Sequence, residues 1–332
     1  MRKILSISIA SYNVEKYLKN TLESLLCDKE TLNKIEVIIV NDGSKDKTIT
    51  VADEYCNKYP ESFVLIDKEN GGYGSTINAA LRIATGKYFR LLDGDDWYVT
   101  NHLKEYIQFL EATETDMIIS PYIEYREDLK TEKLLDRHNL DSYRIYHLAD
   151  LDSTNLNDIK MHELAAKTDM LKKGALKITE NCFYTDTEYV FQVFMLSNSV
   201  EKYDAPIYKY RIGSEGQSVS VLGRLKHFKD AETVLDKILT LYEKKEASLP
   251  IMKKKVLWNT VKVVAMFQYT TYLLFESSKA SKIQLKKYDK KLKDVCEPLY
   301  KDLGNESKIV TLLRVTDYMI YSMARKRIMD RL

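Results

Sequence analysis

Prolines and glycines are few, five and eleven in 332 residues, and the four cysteines are scattered. Cys27, Cys56, Cys182 and Cys296 form no C-x-x-C pair, which argues against both a zinc site and a disulfide framework. Free thiols of this kind fit a reducing, cytoplasmic setting. Nothing at the start reads as a signal peptide, because Arg2 and Lys3 lead straight into a strand-like run, Ile4 to Ala10. The 24 tyrosines are dispersed and make no repeat. There is no basic–aromatic recognition motif, so nucleic acid is not an expected partner. What remains is an ordinary globular composition, 45% hydrophobic and 30% charged, in a chain long enough for one large domain and an extension.

The formal net charge of +2 conceals a split. Residues 1–223 hold 27 basic and 36 acidic side chains, a net of −9, whereas residues 224–332 hold 24 and 13, a net of +11. A basic second region suggests an anionic counterpart, a membrane face or a lipid-linked substrate; a solvated helical surface is the plainer alternative.

The first 95 residues alternate strand and helix signals. Ile4 to Ala10, Ile35 to Val40, Phe63 to Ile66 and Tyr88 to Leu92 read as strands. Between them lie helical segments, Val14 to Leu26, a helix capped by Ser44 and running to about Tyr59, and Thr76 to Ala84. Such alternation predicts an α/β fold with a parallel sheet, whose ligands sit beyond the carboxyl ends of the strands. Polar clusters fall at all four ends: Ser11-Tyr12-Asn13, Asn41-Asp42-Gly43, the loop Asn70 to Ser75, and Asp93-Gly94-Asp95-Asp96. The last gathers three carboxylates in four residues at the end of a buried run, which is costly without a cation. Hard oxygen ligands suit Mg²⁺ or Mn²⁺ shared with a phosphate. An acidic turn capping the next helix is the competing reading. The Asn70 loop lets backbone N–H groups approach an anion. It is not G-x-G-x-x-G and follows the third strand, which disfavours a nicotinamide site.

The series S-I-A-S-Y-N-V-E-K-Y-L, V-I-I-V-N-D-G-S, K-E-N-G-G-Y-G-S-T-I-N and L-L-D-G-D-D-W resembles the family 2 glycosyltransferases across residues 3 to 215. The resemblance implies a GT-A fold, a mixed and mostly parallel sheet flanked by helices, and an inverting, hexosyltransferase-type transfer from a UDP-sugar with Mg²⁺ or Mn²⁺. It implies that Ser11 and Tyr12 line the nucleoside pocket and that Asp42 accepts from the base N–H. Asn70, Gly72 and Gly94 would border the donor, Asp95 would bind the metal and Asp93 the ribose or metal. The family's Ala-Arg-Asn triplet is Thr76-Ile77-Asn78 here, so a cationic contact would come from Lys68 or Arg90.

Further on, Met117 to Tyr125 reads as one strand and residues 126 to 160 as sheet edge and loops. Cys182 to Phe191 resembles the family's Glu-Asp pair before a helix; Thr185 stands at the Glu position, and Asp186 matches the catalytic base. Helix capping is the alternative for Asp186, and Glu188 the second choice for the base. Ala205 to Arg211 resembles P-x-Y-x-Y-R, with Arg211 and Gln217 as candidates for an acceptor or diphosphate loop.

From Gly223 onward only Gly304, Pro250 and Pro298 interrupt helical patterning. Val256 to Phe275 carries one charge, Lys262, but Asn259, Thr260, Gln268, Thr270 and Thr271 favour a buried bundle helix over a membrane span. Ile309 to Met329 reads as one amphipathic helix, suited to an anionic membrane surface or to packing on protein. The expected domains are 1–222, with a nucleotide half 1–97 and an acceptor half 98–222, and a helical region 223–332. The expected partners are a UDP-sugar, a glycan or lipid-linked acceptor and an anionic membrane surface; a homo-oligomer is left open. The alternatives are a sugar-phosphate nucleotidyltransferase, which would want its basic glycine-rich loop after the first strand, and a non-catalytic nucleotide-sugar-binding subunit.

Overall fold

A computed structural model of the chain describes residues 2–156, 158–213 and 220–330. Short apolar stretches form its central strands, β1 (Leu5–Ser11), β2 (Ile35–Asp42), β3 (Phe63–Lys68) and β4 (Tyr88–Asp93). They pair in parallel in the order β3-β2-β1-β4. Val37, Ile38, Ile39 and Val40 are wholly buried, as a strand covered on both faces requires. Each strand runs past its apolar stretch into the polar residues that follow. The register sets Ser11 beside Asn41, Ala10 beside Asp93 and Asp42 beside Lys68, so the polar ends share one end of the sheet.

The remaining strands are β5 (Trp97–Tyr98), β6 (Met117–Ile119), β7 (Tyr122–Arg126), β8 (Thr131–Leu135), β9 (Ile145–His147), β10 (Leu164–Lys167), β11 (Ser199–Lys202) and β12 (Tyr208–Ile212). The large sheet continues β4-β10-β6-β11-β9, with β10 antiparallel to both neighbours. A second sheet runs β5-β12-β7-β8. The single strand expected over Met117 to Tyr125 is therefore two strands in different sheets, parted at Ser120-Pro121, where proline removes a ladder donor. The result is the expected mixed, mostly parallel α/β sheet flanked by helices.

Several helix ends differ from expectation. Ser44 does not cap the helix Thr48–Lys58; its hydroxyl accepts from the Asn13 N–H, and Asp46 accepts from the Thr48 N–H instead. The helix after the glycine loop starts at Tyr73, so half of that loop is its first turn. Asp186 is no cap either. The helix Thr185–Leu196 is preceded by Tyr184 at φ +64°, which places Asp186 in its first turn. The terminal helix is two, Lys308–Val315 and Tyr321–Met329, broken where Asp317 and Tyr318 take positive φ.

The chain divides into two compact units, Met1–Ser214 with Glu246–Leu257, and Glu215–Lys245 with Trp258–Leu332. In the second unit Gln268, Thr270 and Thr271 of the apolar segment have protein partners. The buried Arg224 donates to the Thr270 and Thr271 hydroxyls and the Phe267 carbonyl, and Gln268 donates to the Phe228 carbonyl. Asp289 and Arg314 form a buried pair at 2.7 Å that Tyr318 joins at 2.6 Å. No helix among the described residues is long and apolar enough to cross a membrane.

Within the first unit, the buried Lys253 ammonium donates to the Met195 and Ser197 carbonyls at 2.6 and 2.7 Å, closing the end of the helix Thr185–Leu196. Burial brings its pKa down from 10.5 to about 8, against a small opposing pull from Asp116. Between those values the unfolded chain holds a proton that the folded one has released, so unfolding free energy rises with pH through that window. In urea unfolding, the wild-type chain should gain about 3 kcal/mol over Lys253→Met between pH about 8 and about 10.5. A pH-independent difference between the two would show that this ammonium is not desolvated.

Candidate active site

β4 delivers Asp93 to the sheet end, and Gly94 turns the chain against β1. A Cβ at Gly94 would meet the Ala10 carbonyl oxygen at 2.8 Å, so this turn closes only on glycine. Thr21 holds the turn by donating to the Gly94 carbonyl. The carboxylates then diverge. Asp93 accepts from the Tyr73 hydroxyl at 2.7 Å. Asp96, 1% exposed, accepts from the Tyr208 hydroxyl at 2.6 Å and from the Arg211 N–H at 2.7 Å. Asp95 is partly exposed and its backbone carbonyl accepts from Arg211 Nε. One side-chain oxygen each of Asp93 and Asp96 and one ring nitrogen of His162 lie within 4.8 Å of one another.

Burial and mutual repulsion dominate the electrostatics. The Asp93 carboxyl is pushed up to about 7 by burial and by Asp95, with the Tyr73 hydrogen bond pulling the other way. Burial raises Asp95, and burial with the charges of Asp93 and Asp95 raises Asp96 well above the carboxylate range. Burial lowers His162 to about 3, so its imidazole is neutral. Carboxylates with so high a proton affinity are short of positive charge. Two of them beside a neutral imidazole form a donor set that fits a divalent cation.

On the other side of β1, Asp42 is buried and turned inward. Its oxygens accept from the Gly71 and Gly72 N–H groups, both at 2.9 Å, from Lys68 Nζ at 2.6 Å and from the Ser75 hydroxyl at 3.3 Å. The carboxylate thus shapes the glycine turn, and Asn70 adds a bond to the Asp42 carbonyl. Ser11 Oγ is buried without a hydrogen-bond partner, while Tyr12 is 51% exposed. Neither expected substitute cation is free: Lys68 is paired to Asp42, and Arg90 is wholly buried, bonded to Tyr106, Ser120 and the His162 carbonyl.

Gly74, in the first turn of the helix Tyr73–Ile83, packs on the segment that leads to Asp186. A Cβ there would come within 2.0 Å of the Thr179 carbonyl oxygen. Gly74→Ala should therefore cost about 1–3 kcal/mol of stability and lower activity by displacing that segment; an unchanged melting temperature would refute the close approach. Asp186 is partly exposed, and burial raises its pKa more than the Thr187 N–H lowers it. Its charge adds to the rise at Asp93 and Tyr73, so it lies near them. Glu188 is wholly buried and accepts from the Thr179 N–H and Gln192, inside the protein.

Arg211 lies on β12 with its guanidinium 4.7 Å from the centres of both the Tyr17 and Trp97 rings, and it pairs with Glu127 at 2.8 Å. Gln217 lies outside the described residues. Sequence reasoning missed Tyr73, His162 and Tyr208. Tyr208 stands in the P-x-Y-x-Y-R stretch and Tyr73 in the glycine loop, where their positions were the available signal. His162 had none, being an isolated histidine in a polar region.

Comparison with known proteins places this arrangement. The model of "Glycosyl transferase family 2" matches residues 6–177. The chain is similar to the putative glycosyltransferase EpsH of Bacillus subtilis, 29% identical over 218 residues, covering 62% of this chain and 60% of the relative. It is also similar to the minor teichoic acid biosynthesis protein GgaB of the same organism, 30% identical over 223 residues, covering 64% of this chain and 23% of that protein. The matched region therefore spans less than two thirds of either relative. In fold, it is similar to S. aureus TarS 1–349 in complex with UDP-GlcNAc, with a TM-score of 0.72, 18% identity, and coverage of 97% of this chain and 90% of that one. The mannosyltransferase PcManGT of Pyrobaculum calidifontis, in complex with GDP-Man and Mn²⁺, has a TM-score of 0.55 at 13% identity, covering 98% and 86%. With the GT-A fold and these strand-end carboxylates, the chain belongs to glycosyl transferase family 2.

Proposed function

We propose that this chain is an inverting glycosyltransferase that moves a sugar from a UDP-sugar to a hydroxyl of a growing glycan. The observation that carries the reading is the crowded carboxylate set at Asp93 to Asp96, with Asp186, itself raised by burial, close enough for its charge to raise Asp93 as well. The acceptor oxygen attacks the anomeric carbon, its proton passes to Asp186, and the bond to the diphosphate breaks with its electron pair leaving on UDP. A base with a pKa raised toward neutrality suits that step. Asp95 and Asp93 would hold Mg²⁺ or Mn²⁺, which would supply charge stabilisation for the departing diphosphate, with Asp96 alongside them. Ser11 and Tyr12 contact the nucleoside, and the Asp42-braced turn with Asn70, Gly72 and Gly94 forms the donor wall. Arg211, and Gln217 in the following loop, border the diphosphate or acceptor.

For the acceptor, a polysaccharide, lipid-linked or protein-linked glycan, the second unit supplies a surface. Leu312, Val315, Met319 and Met323 are all more than half exposed beside the basic Arg325 to Arg327, which supports peripheral binding to an anionic membrane. Co-sedimentation with anionic vesicles should fall when these four are changed to serine; equal recovery removes the membrane from the reading. For catalysis, a screen of UDP-sugars should yield metal-dependent UDP release with one or a few donors. UDP binding that needs no metal and never turns over would identify a binding module instead.

A further inference from the structure

We propose that His162 is a nitrogen donor to the divalent cation, acting with Asp93 and Asp96, and that it tunes the site toward Mn²⁺ over Mg²⁺. The inference rests on the metal-assisted reading above and names a ligand outside the D-x-D stretch.

Three observations carry it. A ring nitrogen of His162 and an oxygen of each of the two carboxylates share a space 4.8 Å across, the size that a shared cation fills. Nδ1 of that ring is buried with no hydrogen-bond partner among the described residues. An uncompensated buried nitrogen is costly; the His102 ring, by contrast, bonds the Pro206 carbonyl at 2.8 Å. Finally, the position is built rather than incidental. The ring stacks on Tyr210 at 4.1 Å, meets Tyr208 edge-on at 4.8 Å and lies 5.3 Å from Tyr122. Its backbone carbonyl is gripped by the wholly buried Arg90 at 2.5 Å, a cation with no carboxylate partner among the described residues. That contact reaches across from β4, the strand that carries Asp93, and ties the imidazole to the carboxylate turn.

The donor chemistry sets the selectivity. Mg²⁺ prefers oxygen ligands in strict octahedral geometry, whereas imidazole is a better ligand for transition ions, Mn²⁺ included. A mixed set of two carboxylates and one imidazole leaves further positions for diphosphate oxygens and water. Removing the nitrogen should therefore weaken Mn²⁺ more than Mg²⁺.

The test uses the full chain with Mn²⁺ and UDP. Pulsed electron paramagnetic resonance should show modulation from a directly coordinated ¹⁴N nucleus, altered when the protein is labelled with ¹⁵N-histidine. His162→Phe keeps the stacked ring and removes both nitrogens. It should abolish the modulation, weaken Mn²⁺ binding by about 10-fold or more, and narrow the Mn²⁺/Mg²⁺ affinity ratio. A wild-type spectrum without histidine nitrogen coupling overturns the inference even if the variant does not fold, as does coupling that persists in a folded His162→Phe. Metal-dependent UDP release measured on the same preparation separates the two readings. Release without nitrogen coupling sinks the His162 assignment and leaves the transferase standing; nitrogen-coupled Mn²⁺ without turnover does the reverse.

Discussion

Asp186→Asn should lower sugar transfer by about 10²–10⁴-fold, the usual contribution of a positioned base, while leaving metal-dependent UDP binding unchanged. The substitution keeps the size and the helix-start position of the side chain and removes only its capacity to take a proton. Burial already lifts the Asp186 pKa, so in the proposed mechanism its carboxylate would hold the acceptor proton better than an exposed aspartate. Asp93 and Tyr73 feel its charge, yet it belongs to the helix Thr185–Leu196 and not to the carboxylate turn. In the proposed mechanism, donor binding and proton removal are therefore separable. The measurement is UDP release under saturating donor, alongside calorimetric UDP binding with Mn²⁺. Loss of both together would place Asp186 in the donor pocket, and retention of full turnover would move the base elsewhere.

The second large effect is expected at Asp93, with opposite signs for function and stability. Asp93→Asn should lower turnover by about 10²–10³-fold, as removal of a transition-state charge stabiliser does. In the absence of metal, the same variant should be more stable by about 0.5–2 kcal/mol. Asp93, Asp95 and Asp96 repel one another in a desolvated turn, and Tyr73 supplies Asp93 with only one hydrogen bond. An amide accepts the same bond from Tyr73 without the charge. Added Mn²⁺ should raise the melting temperature of the wild-type chain and leave the variant nearly unmoved, because only the former gains a counter-ion. Thermal unfolding with and without Mn²⁺ reads both halves. A variant that is less stable without metal would mean that the turn is held by attraction rather than crowded by repulsion.

Much of the donor side was legible because it is local. Strand ends follow from short apolar runs, and polar residues just past them must share one end of a parallel sheet, so Ser11, Asp42 and Asp93 are neighbours by topology alone. The family resemblance rides on the same stretch. Periodicity was a poorer guide to ends. It joined Met117–Ile119 to Tyr122–Arg126 and ran the last helix through Asp317 and Tyr318, where the chain takes positive φ.

The sequence by itself determined the α/β class, the four polar strand ends and the crowding of charge at Asp93 to Asp96, since each depends on residues close together in the chain. Only the tertiary structure decided what each carboxylate does with its charge. Asp42 accepts from Lys68 and the glycine turn, Asp96 accepts from Tyr208 and Arg211 more than a hundred residues away, and Asp93 and Asp96 each bring an oxygen near a His162 ring nitrogen. These partners lie on strands and turns brought together by long-range register, and no local pattern encodes which side chain will meet which across a sheet.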